Sequence, residues 1–290
     1  MLNYRIMKAI KLLFLMLVSG LMLTSCSDQD NNDNSIALPQ LMEQNEIWYV
    51  DYARTQGTGD VPFLSKAFTI SFRNGTLMAN NNLVGIGSTG NGFGVVLGYY
   101  SFGQNVIYVD HNIYGNYTLE VTQLSSDEIK VYDRYQNVSY YLIAYQRSTF
   151  DYDRVFYENM SYFLQEYRAW EKVYTSQAGS SNAFDNENYL QFTPNGSYDR
   201  FRSSTDNNGL GVNSIYWDYS GNYIVGNTNS LSQKILTLNY NSQGNEMFRV
   251  SVINDSRIRL YHIASGTTYE FVGRSFVPIL RQSAANRVKK

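Results

Sequence analysis

Cysteine is nearly absent: Cys26 is the single one in 290 residues. One thiol cannot close an intramolecular disulfide, and it leaves thiolate metal sites and cysteine-based catalysis poorly supplied. Histidine is almost as scarce, at His111 and His262. A zinc site or a serine triad would have to recruit one of these two, and no G-x-S-x-G motif is present. Positive charge is not in excess, with 23 Lys and Arg against 25 Asp and Glu. The nearest thing to a basic patch is the tail Arg281, Arg287, Lys289 and Lys290, so a nucleic-acid partner is not expected. No stretch reaches the ~20 apolar residues that a membrane-spanning helix needs.

What is present begins with a segment laid out for export. Arg5, Lys8 and Lys11 give a positive start, and Leu12 to Leu23 is an apolar run of signal-peptide length. It ends in Leu23-Thr24-Ser25-Cys26, which resembles the bacterial lipobox, an apolar residue and two small ones before a lipidated cysteine. Acyl chains on Cys26 would supply a stable membrane anchor. Ser27 to Ser35 is polar and acidic without an apolar residue, and reads as a disordered tether. Without residues 1–25 the chain keeps 25 acidic residues and loses three basic ones, a net charge near −5.

The organising feature is an internal duplication. Leu119 to Ala144 aligns without a gap on Phe248 to Gly273, placing Val121 on Val250, Val131 on Leu260 and Tyr140 on Tyr269. Earlier landmarks recur at smaller offsets: Trp48 answers Trp170, and Phe72-Arg73-Asn74-Gly75 answers Phe192 to Gly196. The drift predicts loop insertions between shared strands. Tyrosine, at 26, and phenylalanine, at 15, are abundant, and both favour strands. In the second copy Phe248, Val250 and Val252 alternate with polar residues, as do Ile258 and Leu260, with Asn254-Asp255 and Ser265-Gly266 as turns between runs. Asn74-Gly75 and Asn195-Gly196 are the strongest hairpin signals. From Asp151 to Lys172, the residues Phe156, Met160, Phe163, Tyr167 and Trp170 recur at spacings of three and four, predicting an amphipathic helix. A shorter segment of the same kind, Leu38 to Glu46, precedes Trp48.

The expected fold is all-β and mainly antiparallel, two tandem meander barrels with one connecting amphipathic helix. The expected organisation is a signal peptide at 1–25, a tether at 26–37, a first domain at 38–148, a linking helix at 149–172, a second domain at 173–276 and a flexible tail at 277–290.

Each unit resembles the lipocalin-like domains common in lipoproteins of the Bacteroidota. The resemblance rests on Trp48, Phe72, Asn74, Gly75, Ser139, Tyr140 and Leu142, then on Trp170, Phe192, Asn195, Gly196, Thr268, Tyr269 and Phe271. It implies an outer-membrane, lipid-anchored protein on the periplasmic or cell-surface face. Neither copy has the Gly-x-Trp of true lipocalins, because Trp48 follows Ile47 and Trp170 follows Ala169. Similar flavobacterial lipoproteins sometimes carry a nicotinate-mononucleotide adenylyltransferase label. This chain has no H-x-G-H type phosphate site to support it.

Other motifs point away from catalysis. Gly85-Ile86-Gly87-Ser88-Thr89-Gly90 matches G-x-G-x-x-G, but Asn91-Gly92-Phe93-Gly94 follows where a dinucleotide site needs a helix. It reads as a Gly-rich loop entering a strand. Asp151, Asp153, Glu158 and Asp206 offer carboxylates for glycoside cleavage, yet Asp151 and Asp153 are two apart and face different sides of a helix. No catalytic residue, metal ligand or cofactor is therefore assigned. The expected function is a non-enzymatic binding module for a small apolar ligand. The alternatives are surface glycan binding, with Tyr216, Trp217 and Tyr219 as candidate contacts, or a structural role in the envelope. Hydrolase activity ranks last.

Overall fold

The structure is a computed structural model that describes residues 36–194 and 199–277. The expected signal peptide, Cys26 and the tether to Ser35 lie outside the described residues, as do Asn195-Gly196 and the tail from 278 onward. Among the described residues no helix is long and apolar enough to cross a membrane.

Helix α1 (Leu38–Gln44) leads into the first barrel, whose strands are β1 (Ile47–Val50), β2 (Gln56–Gly57), β3 (Thr69–Arg73), β4 (Thr76–Asn80), β5 (Val95–Phe102), β6 (Val106–His111), β7 (Gly115–Gln123), β8 (Glu128–Asp133) and β9 (Val138–Tyr145). Helix α2 (Pro62–Lys66) lies between β2 and β3. β1 pairs antiparallel with β3, the strands from β3 to β9 pair antiparallel each with the next, β1 also pairs with β9 to close the ring, and the short β2 adds to β9. Helix α3 (Tyr152–Gln165) leads into a second closed barrel of β10 (Tyr167–Thr175), β11 (Tyr189–Thr193), β12 (Arg200–Ser204), β13 (Tyr219–Gly226), β14 (Lys234–Tyr240), β15 (Asn245–Asn254), β16 (Arg257–His262) and β17 (Thr268–Phe276). Two eight-stranded antiparallel barrels thus stand in tandem with a helix between them.

The sequence pattern produces this directly. Along β8 and β14 alternate residues are buried, as period-two strands with one face inward require. Asn74 and Gly75 take φ of 48° and 78°, both in the left-handed region that a tight two-residue hairpin needs. The Gly-rich loop does enter a strand. At Gly94, with φ of 91°, a Cβ would lie 1.9 Å from the carbonyl oxygen of Ala79, so only glycine lets these backbones pass.

Across β7–β9 and β15–β17 the duplication keeps its pairing. Leu119 pairs with Asp133 as Phe248 pairs with His262, and Val131 with Tyr140 as Leu260 with Tyr269. Most of the drift in offset comes from two connections of unequal length. The β3–β4 turn is Asn74-Gly75, whereas β11–β12 is joined by 194–199. The β5–β6 turn spans 103–105 and the β13–β14 turn 227–233.

The linking helix is shorter than expected over 149–172. It stops at Gln165, and Tyr167 and Trp170, read as its last turns, lie on β10 opposite Phe276 and Gly273. A strand that starts immediately after a helix returns its tryptophan to the same core, and this mimics helical spacing. The helix is capped at its start, where the Asp151 carboxylate accepts from Arg154 N at 2.9 Å, and Phe156, Met160 and Phe163 of the predicted stripe are buried.

Helix α3 binds the two barrels into one core that runs from Ile47, Phe68 and Phe93 through Phe156 and Met160 to Trp170 and Phe248. Tyr152 Oη donates to Gly92 O at 2.9 Å on the first barrel. On the second, the fully buried Lys234 Nζ donates to Asp153 Oδ1 at 2.5 Å, Asn227 Oδ1 at 2.7 Å and Ser230 O at 2.9 Å.

Candidate functional site

The barrel interiors are the first place to seek a ligand, and both are occupied by the protein's own side chains. Each barrel is stopped at both ends. One stopper is the helix before its first strand, α1 or α3. The other is a helical turn carrying a buried phenylalanine, Phe63 on α2 or Phe184 in the turn Ala183–Asn186. Phe184 lies 4.6 Å from Phe248 and 5.1 Å from Tyr269, between ring centroids. At the α3 end Phe192 meets Tyr223 at 5.0 Å, and between the two ends Phe201 reaches Tyr240 at 4.9 Å. In the first barrel Phe63 lies 5.0 Å from Tyr117 and 5.3 Å from His111. Small eight-stranded barrels have room for little beyond such a filling.

The Phe184 end of the second barrel also gathers titratable groups that no sequence motif announces. Tyr240 Oη donates to both oxygens of Glu187, at 2.7 and 2.8 Å. Burial pushes the Glu187 carboxyl up to about 7, and the neighbouring Glu246 pushes the same way. Lys172 is lowered by burial and donates to Asp185 O at 2.5 Å. Asp185 is lowered: its burial works the other way, but the hydrogen bonds from Tyr269 and Asn182 outweigh it. Tyr269 Oη donates to Asp185 at 2.5 Å and burial raises it to about 12. These groups come from β10, β14, β17 and the 182–188 segment, so their meeting is a tertiary event. They satisfy one another, which is what a buried polar network must do.

The two histidines serve separate turns. His111 Nδ1 accepts from Ile113 N at 3.1 Å and Tyr114 N at 3.2 Å, and burial lowers its pKa. His262 contacts Ser265 Oγ at 2.7 Å and Glu246 Oε2 at 2.6 Å. Among the described residues no group of three or more His, Cys, Asp or Glu is placed to hold a metal ion.

The carboxylates considered for glycoside cleavage are each engaged elsewhere. Asp151 caps α3, Asp153 pairs with Lys234, Glu158 pairs with Arg154 at 2.6 Å, and Asp206 Oδ2 accepts from Tyr216 N at 2.7 Å. The candidate aromatic contacts Tyr216, Trp217 and Tyr219 do not form one platform. Tyr216 is 71% exposed. Trp217 is half-buried against Ala169, Tyr189 and Ile215, with the Arg202 guanidinium 4.8 Å over its ring. Tyr219 packs toward the barrel core, 6.1 Å from Tyr240.

Open space is found instead beside α3. Tyr157 and Ser161, and Glu158 and Tyr162, are pairs four apart, so together they make one face of the helix. That face and the wall residues Asp199 and Val225 enclose a cleft of about 230 Å³. Beneath it Tyr223, raised by burial, receives a 2.5 Å hydrogen bond from Gln165 Nε2 and faces Ser161 and Asp199. A second cleft, of about 140 Å³, is apolar: Leu83, Ile86, Phe156, Leu231 and Val252 are among its lining residues. The sequence held a signal for the first cleft only in the polar face of α3, and none for its opposite wall.

No family model matches the chain, and no curated protein does. Among solved structures it is similar to the structure of the octameric penicillin-binding protein homologue from Pyrococcus abyssi, at 8% identity and a TM-score of 0.23. That match covers 60% of this chain and 38% of the other. At that distance it bears on neither fold nor activity.

Proposed function

We propose that the chain is a non-enzymatic, lipid-anchored envelope protein of the outer membrane that binds a small ligand beside α3 rather than within a barrel. The observation that carries the reading is the contrast between packed interiors and the two clefts that border α3. Acyl chains on Cys26 hold the protein to the membrane, and the acidic stretch after it acts as the tether. The barrels are rigid stock that fixes the helix, and the helix presents the clefts. Binding sites commonly sit at such junctions between packed units. The lipocalin-like resemblance and the lipobox support the envelope address. No cofactor, metal or nucleic acid enters this reading.

Native mass spectrometry of the full acylated chain, taken from envelope membranes, tests it. The expected result is a discrete small-molecule adduct that leaves on denaturation. It should be lost when Ser161→Trp fills the first cleft or Ser232→Trp the second. An adduct that survives both fillings overturns the location. A bare mass after exposure to envelope extract overturns ligand binding in favour of a purely structural role. Cys26→Ser should move the chain from the membrane pellet to the soluble fraction, and continued pelleting would overturn the anchor.

A further inference from the structure

We infer that the apolar cleft formed by the Gly-rich loop, α3 and the second barrel is a binding site for one compact hydrocarbon group, about the size of benzene. It rests on the reading above, that the protein binds beside α3, and assigns the cleft and the chemistry of the guest. The walls have three origins. Leu83, Val84 and Ile86 come from the loop before β5, Phe156 from α3, and Leu231 and Val252 from the 227–233 turn and β15. A Cβ on Gly87 would lie 3.3 Å from Leu231 Cδ1, so the loop reaches past α3 to meet the second barrel. In place of a phosphate cradle, the G-x-G-x-x-G segment supplies a wall of this cleft.

Size and lining select the guest. The cleft measures about 140 Å³, and an apolar protein cavity of ~150 Å³ lined by Leu, Ile and Phe takes up benzene or xenon. Among the described residues that line the cleft, none carries a charge. Its polar groups are engaged inside their own loops. Ser88 Oγ donates to Gly85 O at 3.0 Å, and the same carbonyl accepts from Ser88 N at 2.9 Å and Thr89 N at 2.7 Å. Ser232 Oγ lies 3.3 Å from Ser230 Oγ. A charged or hydroxyl-rich guest would leave water and find little there to replace its hydrogen bonds.

A hydrocarbon has something to gain from the same lining. Leu83, Ile86 and Phe156 are buried, but Val84 is 37% exposed and Leu231 42%. Aliphatic surface left in water at a concave site is what an apolar guest covers, and its removal from water drives binding. The first cleft has Glu158 and Asp199 in its lining and is the poorer place for such a guest.

Methyl NMR of the full chain, labelled at Leu, Val and Ile and held in lipid nanodiscs, tests the inference with benzene, cyclohexane and dioxane as probes. Cyclohexane and dioxane share a shape and differ in polarity. The expected result is saturable shifts from benzene and cyclohexane at the methyls of Leu83, Val84, Ile86, Leu231 and Val252, with dioxane at least tenfold weaker. Val84→Asp, at an exposed position, should weaken both hydrocarbons tenfold or more. Ser232→Trp should abolish the shifts by filling the cleft. Shifts confined to other methyls overturn the site, and dioxane binding as tightly as cyclohexane overturns the ligand class. No shift from any probe overturns the inference outright. In that case a native-mass adduct removed by Ser161→Trp would reject this cleft and leave binding beside α3 standing.

Discussion

The indole Nε1 of Trp170 donates to the carbonyl oxygen of Leu164 at 2.8 Å, six residues back in the last turn of α3. Trp48 makes the same bond to Met42 O at 3.3 Å, again six residues back, in α1. In each copy the first strand's tryptophan therefore satisfies a helix-end carbonyl that the helix cannot satisfy itself. It also locks the stopper helix to the barrel it closes.

Trp170→Phe should lose this bond and leave a gap in a fully buried position. A cost of about 2–3 kcal/mol follows. Trp48→Phe, with the longer bond, should cost less. Urea midpoints of the two variants provide the check, and equal losses would mean that packing alone sets the cost.

Glu187 makes stability depend on pH. A carboxyl whose folded pKa lies above its unfolded value stabilises the fold fully below the unfolded pKa, and that contribution is lost as pH rises through the folded one. Here the window runs from the ordinary 4.5 to about 7. The wild type should lose on the order of 3 kcal/mol across it from this group, because ionisation puts a charge in a buried site near Glu246, which the hydrogen bond from Tyr240 and the charge of Lys172 offset only in part. Glu187→Gln should flatten the profile. Thermal unfolding at pH about 5 and about 8 measures this, and an unchanged slope would sink the assignment.

Asp153→Ala should be among the most damaging changes on α3. It leaves the Lys234 ammonium, fully buried, without its anion. Removing one partner of a buried pair costs about 3–5 kcal/mol, and the partial exposure of Asp153 puts this case at the lower end. Adding Lys234→Met should recover part of the loss. A double-mutant cycle by denaturant unfolding decides it, and strict additivity would mean that the two side chains are not coupled.

Neighbouring aromatics should respond differently. Tyr216→Ala removes an exposed ring and should stay within about 0.5 kcal/mol of wild type. Trp217→Ala uncovers Tyr189 and Ile215 and removes the ring under the Arg202 guanidinium, so a loss of about 1–2 kcal/mol is expected. Thermal melts of the pair separate the two cases.

Much of the fold was legible because its signals are local. Alternation along Phe248, Val250 and Val252 requires only that one strand face be buried, and Asn74-Gly75 requires only a left-handed turn. The duplication was visible because β7–β9 and β15–β17 have hairpins of the same length, so the alignment needs no gap. The end of α3 was not legible. Tyr167 and Trp170 continue a three-and-four spacing, and only pairing of Tyr167 with Phe276 reveals a strand. The cleft was half legible: Tyr157, Glu158, Ser161 and Tyr162 lie on one helix face, but Asp199 and Val225 join them from strands far along the chain.

The sequence by itself determined the two copies, their strand alternation and the caps that start α3, since each depends on residues within a few positions of one another. Tertiary structure alone decided whether the barrels are hollow. That outcome depends on how far side chains from opposite walls reach, and on a turn that sends Phe184 to within 4.6 Å of Phe248, 64 residues away. No local pattern encodes that distance, because it is set by the closure of eight strands around it.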